Sequence, residues 1–314
     1  MRVSRRRVLG MMGLGALKMA GCHADNAQGI AKSGPLAAHA LVIGIRAVDP
    51  GEYDGWNEPL SFSELDAVAF SDHLKKKVGI ADVTTILGTD VRLERIRREI
   101  VAMGTRTKPG ELACIFYSGH GGQVVTHDPG ELDGFDQSWC LYDGQFLDNE
   151  RYWLLQDYAP GARVLVIADC CYSGDTLWVA ASAAMSADAL DSVAPTPPRS
   201  KGLPIDVAVR TYEAHKAFYV DLQTKYPPRD AAPKVSEELI AACGRARKAF
   251  ERDGHGVLTN ALLSALQASS CTLTYAQLFD ETKRRMGTQV PTRQTLRPDG
   301  SIDWFAGSLA FCNS

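Results

Sequence analysis

The feature that most constrains the fold is a set of short, continuous apolar runs separated by amphipathic segments. Residues 63–78 and 91–103 carry apolar side chains at helical spacing. Four apolar runs have the length and the content of branched residues that are typical of strands buried on both faces. They are 39–48 (HALVIGIRAV), 82–87 (DVTTIL), 111–119 (ELACIFYSG) and 163–171 (RVLVIADCC). Strands that alternate with helices predict an α/β fold, with a mainly parallel central sheet flanked by helices on both faces.

The alternation is interrupted by residues 181–235, which contain APTPPRSKG and YPPRDAAPK and predict a variable linker with one helix at 206–223. The elements predicted after it are a strand at 237–244, helices at 256–267 and 274–286, and a last strand at 308–312. We therefore expect one domain over residues 38–314, with 181–235 as an insertion.

The amino terminus has the features of an export signal. SRRRVLG (4–10) is a twin-arginine pattern, and the apolar run after it is too short to span a bilayer. KMAGC, which ends at Cys22, resembles a bacterial lipobox, in which the cysteine is acylated. We expect residues 1–22 to be the signal and 23–37 a linker. The protein is then an exported bacterial protein, either periplasmic or a lipoprotein anchored to the membrane through Cys22, and is cytoplasmic if the signal is not used.

Composition argues against several kinds of partner and site. The formal charge of −3 comes without a basic stripe, so we expect no nucleic-acid partner. The eight cysteines include no CxxC pair, which argues against zinc. We expect contact with a membrane only through the N-terminal lipid anchor.

Two reactive side chains follow buried strands: His120 in FYSGHGG (116–122) and Cys171 in VIADCCYSGD (166–175). Because the carboxyl ends of parallel strands meet at one edge of a sheet, we expect the imidazole and the thiol on the same edge. A thiolate is a strong nucleophile and histidine can accept its proton. Singly, the histidine reads as a surface residue and the cysteine as a small apolar residue. Their joint occurrence favours a catalytic pair.

These motifs together resemble the metacaspases, which belong to the caspase-like group of cysteine peptidases. YSGHGG, the acidic DGFD segment and DCCYSG resemble the family pattern of YSGHG, an acidic loop and D-x-C-H-S-G. The resemblance covers most of residues 40–178 and resumes at 236–286, so that 181–235 lies between large- and small-subunit-like parts. It implies a caspase-like fold and a cysteine endopeptidase that acts through a thioester.

The resemblance also implies roles for individual residues. Cys171, and not Cys170, matches the nucleophile, and Tyr172 stands where the family has a second histidine. His120 matches the base. The backbone N–H groups of Gly121 and Cys171 are the candidates for the oxyanion hole. The sequence offers no strong candidate for a third, orienting residue.

Metacaspases cleave after Arg or Lys, which implies polypeptide substrates with such a residue before the scissile bond. The positions that match the binding pocket are Asp66, Ser118 and Asp169. A carboxylate pair suits a guanidinium or ammonium group. The plainer interpretation is that Asp66 is an ordinary first-turn helix acid and Asp169 a strand-end acceptor.

Calcium activates many metacaspases through aspartates near the site. Asp148 matches one such position, but its neighbour is Asn149, and a further position falls at Trp178. Residues 127–150 offer other oxygen ligands, and a solvated acidic loop is the favoured interpretation. We expect no required cofactor and weak or absent calcium dependence.

The predicted linker also carries basic residues beside prolines, and their expected exposure suggests self-cleavage there. These residues are Arg199, Lys201, Lys225 and Arg229. Two other functions remain open: a caspase-like binding or scaffold module with little turnover, and a thiol acyl transferase (transpeptidase).

Overall fold

The computed structural model describes residues 37–128, 130–131, 133–171, 199–229, 233–244, 247–269, 272–298, 305 and 310–311. The predicted signal with Cys22, the linker up to residue 36, Tyr172 and Trp178 lie outside these residues, and the predictions made on them stay predictions. Among the helices of the described ranges, none has the length and apolar content needed to cross a bilayer.

Strands and helices alternate along the described chain. The strands are β1 (Ala38–Gly44), β2 (Asp82–Leu87), β3 (Leu112–Ser118), β4 (Gly121–Val125), β5 (Phe135–Leu141), β6 (Gly144–Leu147), β7 (Arg163–Asp169), β8 (Arg199–Ser200), β9 (Ser236–Ala241), β10 (Phe250–Arg252), β11 (His255–Gly256) and β12 (Thr292–Leu296). The α-helices are α1 (Ser63–His73), α2 (Leu93–Arg106), α3 (Asp148–Leu155), α4 (Ile205–Ala214), α5 (Lys216–Lys225), α6 (Val257–Ser269) and α7 (Tyr275–Arg285). A π-helical turn, Leu74–Val78, continues α1.

The central sheet has the strand order β12-β9-β7-β3-β1-β2. Every pair of neighbours is parallel except β12 and β9, which are antiparallel. The predicted α/β fold with a mainly parallel sheet is therefore confirmed. The last strand was placed wrongly, because Ala310 and Phe311 lie in a turn and are buried in the core. The edge strand β12 reads TRQTL, and its partly exposed polar residues gave no apolar run to detect.

Helices cover both faces of the sheet, as the continuous apolar strands require. In β1, Leu41 and Ile43 pack into one core cluster, which includes residues of α2 and α3. Ala40 and Val42 alternate with them and pack into a second cluster, which includes residues of α1, α6 and α7. Because side chains alternate along a strand, a strand buried on both faces reads as an unbroken apolar run.

The predicted single helix at 206–223 is two helices. Its break is at His215, where φ is −116° and ψ is 28°, outside the helical region. Tyr212 and Tyr219 on either side of the break are both buried, with ring centroids 6.1 Å apart. Strands β5 and β6 form a hairpin, in which they pair antiparallel with Leu141 opposite Gly144.

Candidate active site

The loops that carry His120 and Cys171 leave the same edge of the sheet. β3 and β7 are adjacent and parallel, and their last residues, Ser118 and Asp169, lie opposite each other. His120 and Cys171 each follow two positions later. The parallel register alone thus brings the two loops to one place.

The turn at His120 is fixed by hydrogen bonds to its main chain. The carbonyl of His120 accepts hydrogen bonds from the Tyr117 hydroxyl at 2.7 Å and from the Cys140 N–H at 2.9 Å. The next residue has to be glycine, since a Cβ on Gly121 would overlap the carbonyl of Cys171. The two loops are therefore packed directly against each other.

The imidazole of His120 is buried and oriented by a backbone carbonyl. Its Nε2 lies 2.8 Å from the carbonyl oxygen of Glu58. Because a carbonyl only accepts, the Nε2 atom carries the proton, and in the neutral ring Nδ1 has the lone pair. Nδ1 has no hydrogen-bond partner among the described residues. The imidazole and the Trp56 ring pack in a T-shaped arrangement, with centroids 4.8 Å apart.

The pKa of His120 falls to about 4, chiefly because the ring is buried; the hydrogen bond to Glu58 opposes this fall, and the positive charge of Lys201 adds to it. The imidazole is therefore neutral near pH 7 and able to accept a proton at Nδ1.

The thiol of Cys171 is buried, with Sγ 3.1 Å from the N–H of Ala249 and 3.7 Å from the Ser200 hydroxyl. Burial raises the pKa of this thiol, but hydrogen bonds from Cys243, Ala249 and Ser200 outweigh it. With the charge of Lys201, they bring the pKa of Cys171 below its ordinary value of 9.0. Such a thiol yields more thiolate at neutral pH than an ordinary one.

Cys170 lies in a different environment from Cys171. It is completely buried and belongs to the apolar cluster that contains Leu41 and Ile43. Cys171 belongs to the cluster on the opposite face of the sheet. The two adjacent cysteines are thus separated by the sheet, which agrees with a packing role for Cys170.

The predicted pocket residues Asp66, Ser118 and Asp169 converge, and none of them is exposed. The Ser118 hydroxyl donates to Asp66 Oδ2 at 2.9 Å. Asp66 also accepts from the Gly256 N–H at 3.0 Å, and its Oδ1 lies 2.8 Å from the His255 Nδ1. Thr259 donates its N–H and its hydroxyl to Asp169 Oδ2, at 3.0 and 2.6 Å. Complete burial distinguishes Asp66 from an ordinary first-turn helix acid.

The side chain of Lys201 fills this pocket. Its Nζ donates to Ser118 Oγ at 2.8 Å and lies 3.4 Å from Asp169 Oδ1 and 3.6 Å from Asp66 Oδ2. Lys201 is 0% exposed, so the prediction that it lies exposed in a linker is wrong. Its neighbours in sequence pass through the active site, and the burial follows from that path.

The main chain of Lys201 also meets the predicted oxyanion hole. Its carbonyl oxygen accepts hydrogen bonds from the Gly121 N–H at 2.9 Å and from the Cys171 N–H at 3.0 Å. Two donors from different loops thus converge on one oxygen. The site thus binds the ammonium group and the carbonyl group of one lysine at the same time, and recognition of a peptide would need both contacts.

The charges in the pocket depend on each other. Burial raises the pKa of Asp169, the charge of Lys201 lowers it, and repulsion from Asp66 raises it again, with a net increase. Burial also raises the pKa of Asp66, but the hydrogen bond from His255 and the charge of Lys201 outweigh burial, so that the pKa of Asp66 lies below its ordinary value. Burial lowers the pKa of Lys201, which the two carboxylates more than offset. The lysine therefore stays an ammonium ion at neutral pH.

A cleft of about 760 Å³ opens beside this constellation. It is lined by His120, by residues 57–60 and by residues 202–206, with Arg199, Ser200 and Lys248 at its side. The cleft reaches His120 and is lined by residues on both sides of Lys201 in the sequence. Solvent thus has a path to the site.

Comparison with known proteins decides the family. The family model for the caspase domain, Peptidase_C14, matches residues 37–299. The chain belongs to the caspase-domain family. The sequence resemblance to metacaspases is thereby confirmed at the level of the family.

Relatives of this caspase domain include named metacaspases. Metacaspase-1A of Aspergillus clavatus is 30% identical over 151 residues, and Metacaspase-1 of Schizosaccharomyces pombe is 35% identical over 145 residues. Each match covers 44% of this chain and 34% of the relative, so the chain spans about a third of the length of these relatives. The crystal structure of protein GSU0716 from Geobacter sulfurreducens has a TM-score of 0.71 and 32% identity, covering 83% of this chain and 94% of that one.

Several residues of the caspase-domain site were missed by sequence reasoning. The orienting group of His120 is the carbonyl of Glu58, and a backbone group leaves no signal in the sequence. His255 and Thr259 hold the pocket carboxylates, although the sequence placed Thr259 only in a predicted helix at 256–267 and assigned nothing to His255. Lys201 had a signal, as a basic residue in a proline-rich stretch, which pointed to exposure instead of burial.

The side chains of Asp148 and Asn149 form their hydrogen bonds with residues that do not belong to the carboxylate pocket. Asp148 accepts a hydrogen bond from the Arg229 guanidinium at 2.7 Å, and Asn149 donates to Asp136 at 3.4 Å. Burial and the charge of Asp148 raise the pKa of Asp136. Within the described ranges, no group of three or more His, Cys, Asp or Glu side chains has the arrangement of a metal site.

Proposed function

We propose that this caspase domain is a cysteine endopeptidase that cleaves polypeptides after Lys or Arg. The observation that carries the proposal is the way one lysine is held. The pocket binds its ammonium group while two backbone N–H groups bind its carbonyl oxygen. The residue before a scissile bond must make both contacts at once, with the nucleophile beside its carbonyl carbon.

Cys171 attacks the carbonyl carbon and forms a thioester, and the leaving amine departs. His120 Nδ1 takes the thiol proton and passes it to the amine, while the Nε2–H stays hydrogen-bonded to Glu58. Charge that develops on the substrate oxygen is stabilised by the N–H groups of Gly121 and Cys171. Each such donor is worth roughly 100- to 1,000-fold in rate. Water then hydrolyses the thioester.

The preference for a basic residue follows from the charge of the pocket. Asp66 and Asp169 are both buried, and with Ser118 they offer acceptors only to a cation or another donor. An acidic side chain there would face two carboxylates in a desolvated pocket. A neutral side chain would leave them uncompensated, which is costly in a buried site.

We propose that catalysis does not require calcium, and that export uses residues 1–22, with lipidation at Cys22. The guanidinium of Arg229 lies 2.7 Å from Asp148, so a positive charge already stands beside that carboxylate. The export proposal is supported by the twin-arginine and lipobox patterns alone.

The function is tested with a peptide panel that varies only the residue before the scissile bond, with and without calcium. We expect kcat/KM for Lys and Arg peptides to exceed that for Gln, Leu and Asp peptides by about 100-fold or more. Cys171→Ala should abolish turnover, whereas the matched variant Cys170→Ala should keep it. Turnover that survives Cys171→Ala would contradict the assignment.

The same assay separates the alternatives. Absence of turnover in the wild-type protein with every peptide would favour a binding or scaffold module. In the presence of an added peptide amine, products joined to that amine in place of hydrolysis products would favour an acyl transferase.

A further inference from the structure

Residues 56–62 are the part of the chain that holds the catalytic base, and we call them the base-holding segment. The Nε2 atom of His120 donates to the carbonyl oxygen of Glu58 at 2.8 Å, and the ring packs against Trp56 with centroids 4.8 Å apart. All residues of the segment are described, and they lie outside every helix and strand. The orientation of the base therefore depends on whatever fixes an irregular stretch of main chain.

The carboxyl end of the base-holding segment is held by the side chain of Glu251. Its Oε2 accepts a hydrogen bond from the N–H of Ser61 at 2.7 Å, and its Oε1 accepts one from the N–H of Phe62 at 2.8 Å. Glu251 is 3% exposed, so water competes little for these bonds. Hydrogen bonds to a carboxylate are stronger than those between neutral groups. The pair therefore fixes the main chain shortly after Glu58.

The anchor comes from a distant part of the chain because the local sequence provides none. Phe62 is the N-cap residue of α1, and its apolar side chain cannot accept a hydrogen bond from the first turn. The carboxylate of Glu251, 189 positions away in sequence, stands at this helix end, where the helix dipole favours a negative charge. The Ser63 hydroxyl lies 3.4 Å from the same carboxylate.

The strand that carries Glu251 also contacts the nucleophile. Two positions before Glu251, the N–H of Ala249 lies 3.1 Å from Cys171 Sγ. Glu251 itself begins the pairing of β10 with β11, opposite Gly256. Residues 249–251 thus contact the thiol through one main-chain group and the support of the imidazole through one side chain.

We propose that Glu251 is a positioning residue for catalysis, which aligns His120 with Cys171 by anchoring the base-holding segment to β10. The proposal rests on the proposed function and adds to it a residue that touches neither the substrate nor the proton. Without the anchor, the Glu58 carbonyl moves away from Nε2, and Nδ1 is no longer held in place to take the thiol proton. A misplacement of about 1 Å can cost roughly 100-fold in rate.

The carboxylate pocket has supports of its own, so the loss of Glu251 should act on the base more than on substrate binding. Asp66 accepts hydrogen bonds from the Ser118 hydroxyl at 2.9 Å and from the Gly256 N–H at 3.0 Å. Its other oxygen lies 2.8 Å from His255 Nδ1. We therefore expect kcat to fall while KM for a Lys peptide changes little.

The charge of Glu251 also reaches the pocket, and the test has to separate this effect from the anchor. Burial lowers the pKa of Lys201, and the carboxylates that raise it are those of Asp169, Asp66 and Glu251. Glu251→Asp keeps the charge and withdraws the carboxyl group by one methylene. An effect of charge alone would leave this variant as active as the wild type, whereas the loss of an anchor would not.

The kinetic test measures hydrolysis of a Lys peptide by the full-length protein. Glu251→Gln replaces one acceptor oxygen by an NH₂ group, so kcat should fall by about 100-fold with less than a fivefold change in KM. Glu251→Asp should lower kcat by about 10-fold or more. The matched variant Glu64→Gln makes the same change in the first turn of α1 and should keep the wild-type kcat.

A second measurement reads the imidazole directly and needs no turnover. In the Cys171→Ala background, ¹⁵N NMR of labelled histidine should show His120 with its proton on Nε2, in slow exchange with solvent. Glu251→Gln should make this proton exchange at least about 10-fold faster, because the carbonyl that holds it is released. Glu64→Gln should leave the exchange unchanged. Urea unfolding confirms that each variant is folded.

The outcomes decide between positioning and a merely structural role. Wild-type kcat and wild-type exchange of the His120 proton in folded Glu251→Gln would make Glu251 only a cap of α1 and would overturn the inference. Wild-type kcat in Glu251→Asp would overturn it as well, in favour of charge. If Glu251→Gln does not fold, Glu251→Asp decides through the same two measurements.

Failure of this inference is distinguishable from failure of the proposed function. Lack of peptide hydrolysis by the wild-type protein overturns the proposed function, and exchange of the His120 proton still tests the anchor. Normal hydrolysis in both Glu251 variants leaves the proposed function standing and removes Glu251 from it.

Discussion

Removal of the positive charge from the carboxylate pocket should make the stability of the protein strongly dependent on pH. The change is Lys201→Met, which keeps the length and apolar stem of the side chain. It is made in the Cys171→Ala background, so that neither protein cuts itself. Lys201 Nζ lies 3.4 Å from Asp169 and 3.6 Å from Asp66, and all three side chains are 0% exposed.

The expected magnitude follows from the proton that must replace the lysine charge. Asp66 keeps His255 as a partner at 2.8 Å, whereas Asp169 keeps only Thr259, and burial already raises the pKa of Asp169. Asp169 therefore takes up the proton. Protonation at pH 7 of a carboxyl group with an ordinary pKa of 3.8 costs about 4 kcal/mol, at about 1.4 kcal/mol for each pH unit.

The sign is set by proton binding. In the variant the folded state holds a proton that the unfolded state has lost, so the free energy of unfolding falls as pH rises above 3.8. The pKa of Asp169 is already raised beside Lys201, and loss of the ammonium group raises it further. We therefore expect the deficit relative to the parent to grow as pH rises, by at most about 3 kcal/mol between pH 5 and pH 7. Urea unfolding at several pH values measures it. Lys201→Arg should show a deficit that varies little with pH.

The double variant Lys201→Met with Asp169→Asn removes the titrating group and should lose the extra pH dependence. A deficit of the same size at pH 5 and pH 7, or an unchanged slope in the double variant, would refute the reasoning that buried carboxylates bear the cost.

Further predictions concern the rim of the pocket, the base and the metal. Gly256→Ala places a methyl group that overlaps Asp169 and lies 2.7 Å from Lys201 Nζ, so kcat/KM for Lys and Arg peptides should fall by about 100-fold, and unchanged kinetics would contradict this. Because the pKa of His120 falls from 6.5 to about 4 on folding, the free energy of unfolding should decrease by about 3 kcal/mol as pH falls through that window. His120→Gln, measured in the Cys171→Ala background, should lack this part of the slope, and an identical slope would refute it. Removal of calcium with a chelator should change kcat/KM by less than about twofold, since Arg229 already neutralises Asp148, and a larger loss would favour a bound cation.

The sequence by itself determined the sheet and the edge at which chemistry collects. Strands β1, β3 and β7 are buried on both faces and are therefore continuous apolar runs, which are recognisable without any contact information. His120 and Cys171 follow β3 and β7 at equal distance, so a parallel register was enough to predict that they share an edge. These are local patterns, and local patterns can be read along the chain.

Only the tertiary structure decided what surrounds those two residues. Asp66, Lys201 and His255 are far apart in sequence and meet only because α1, residues 199–203 and β11 pack at one end of the sheet. The Glu58 carbonyl is a backbone group, which carries no mark in the sequence. A buried ion pair gives no apolar pattern either, so Lys201 looked like an exposed lysine. Long-range packing determines both burial and charge partners, and it places Lys201 of the predicted linker in the carboxylate pocket.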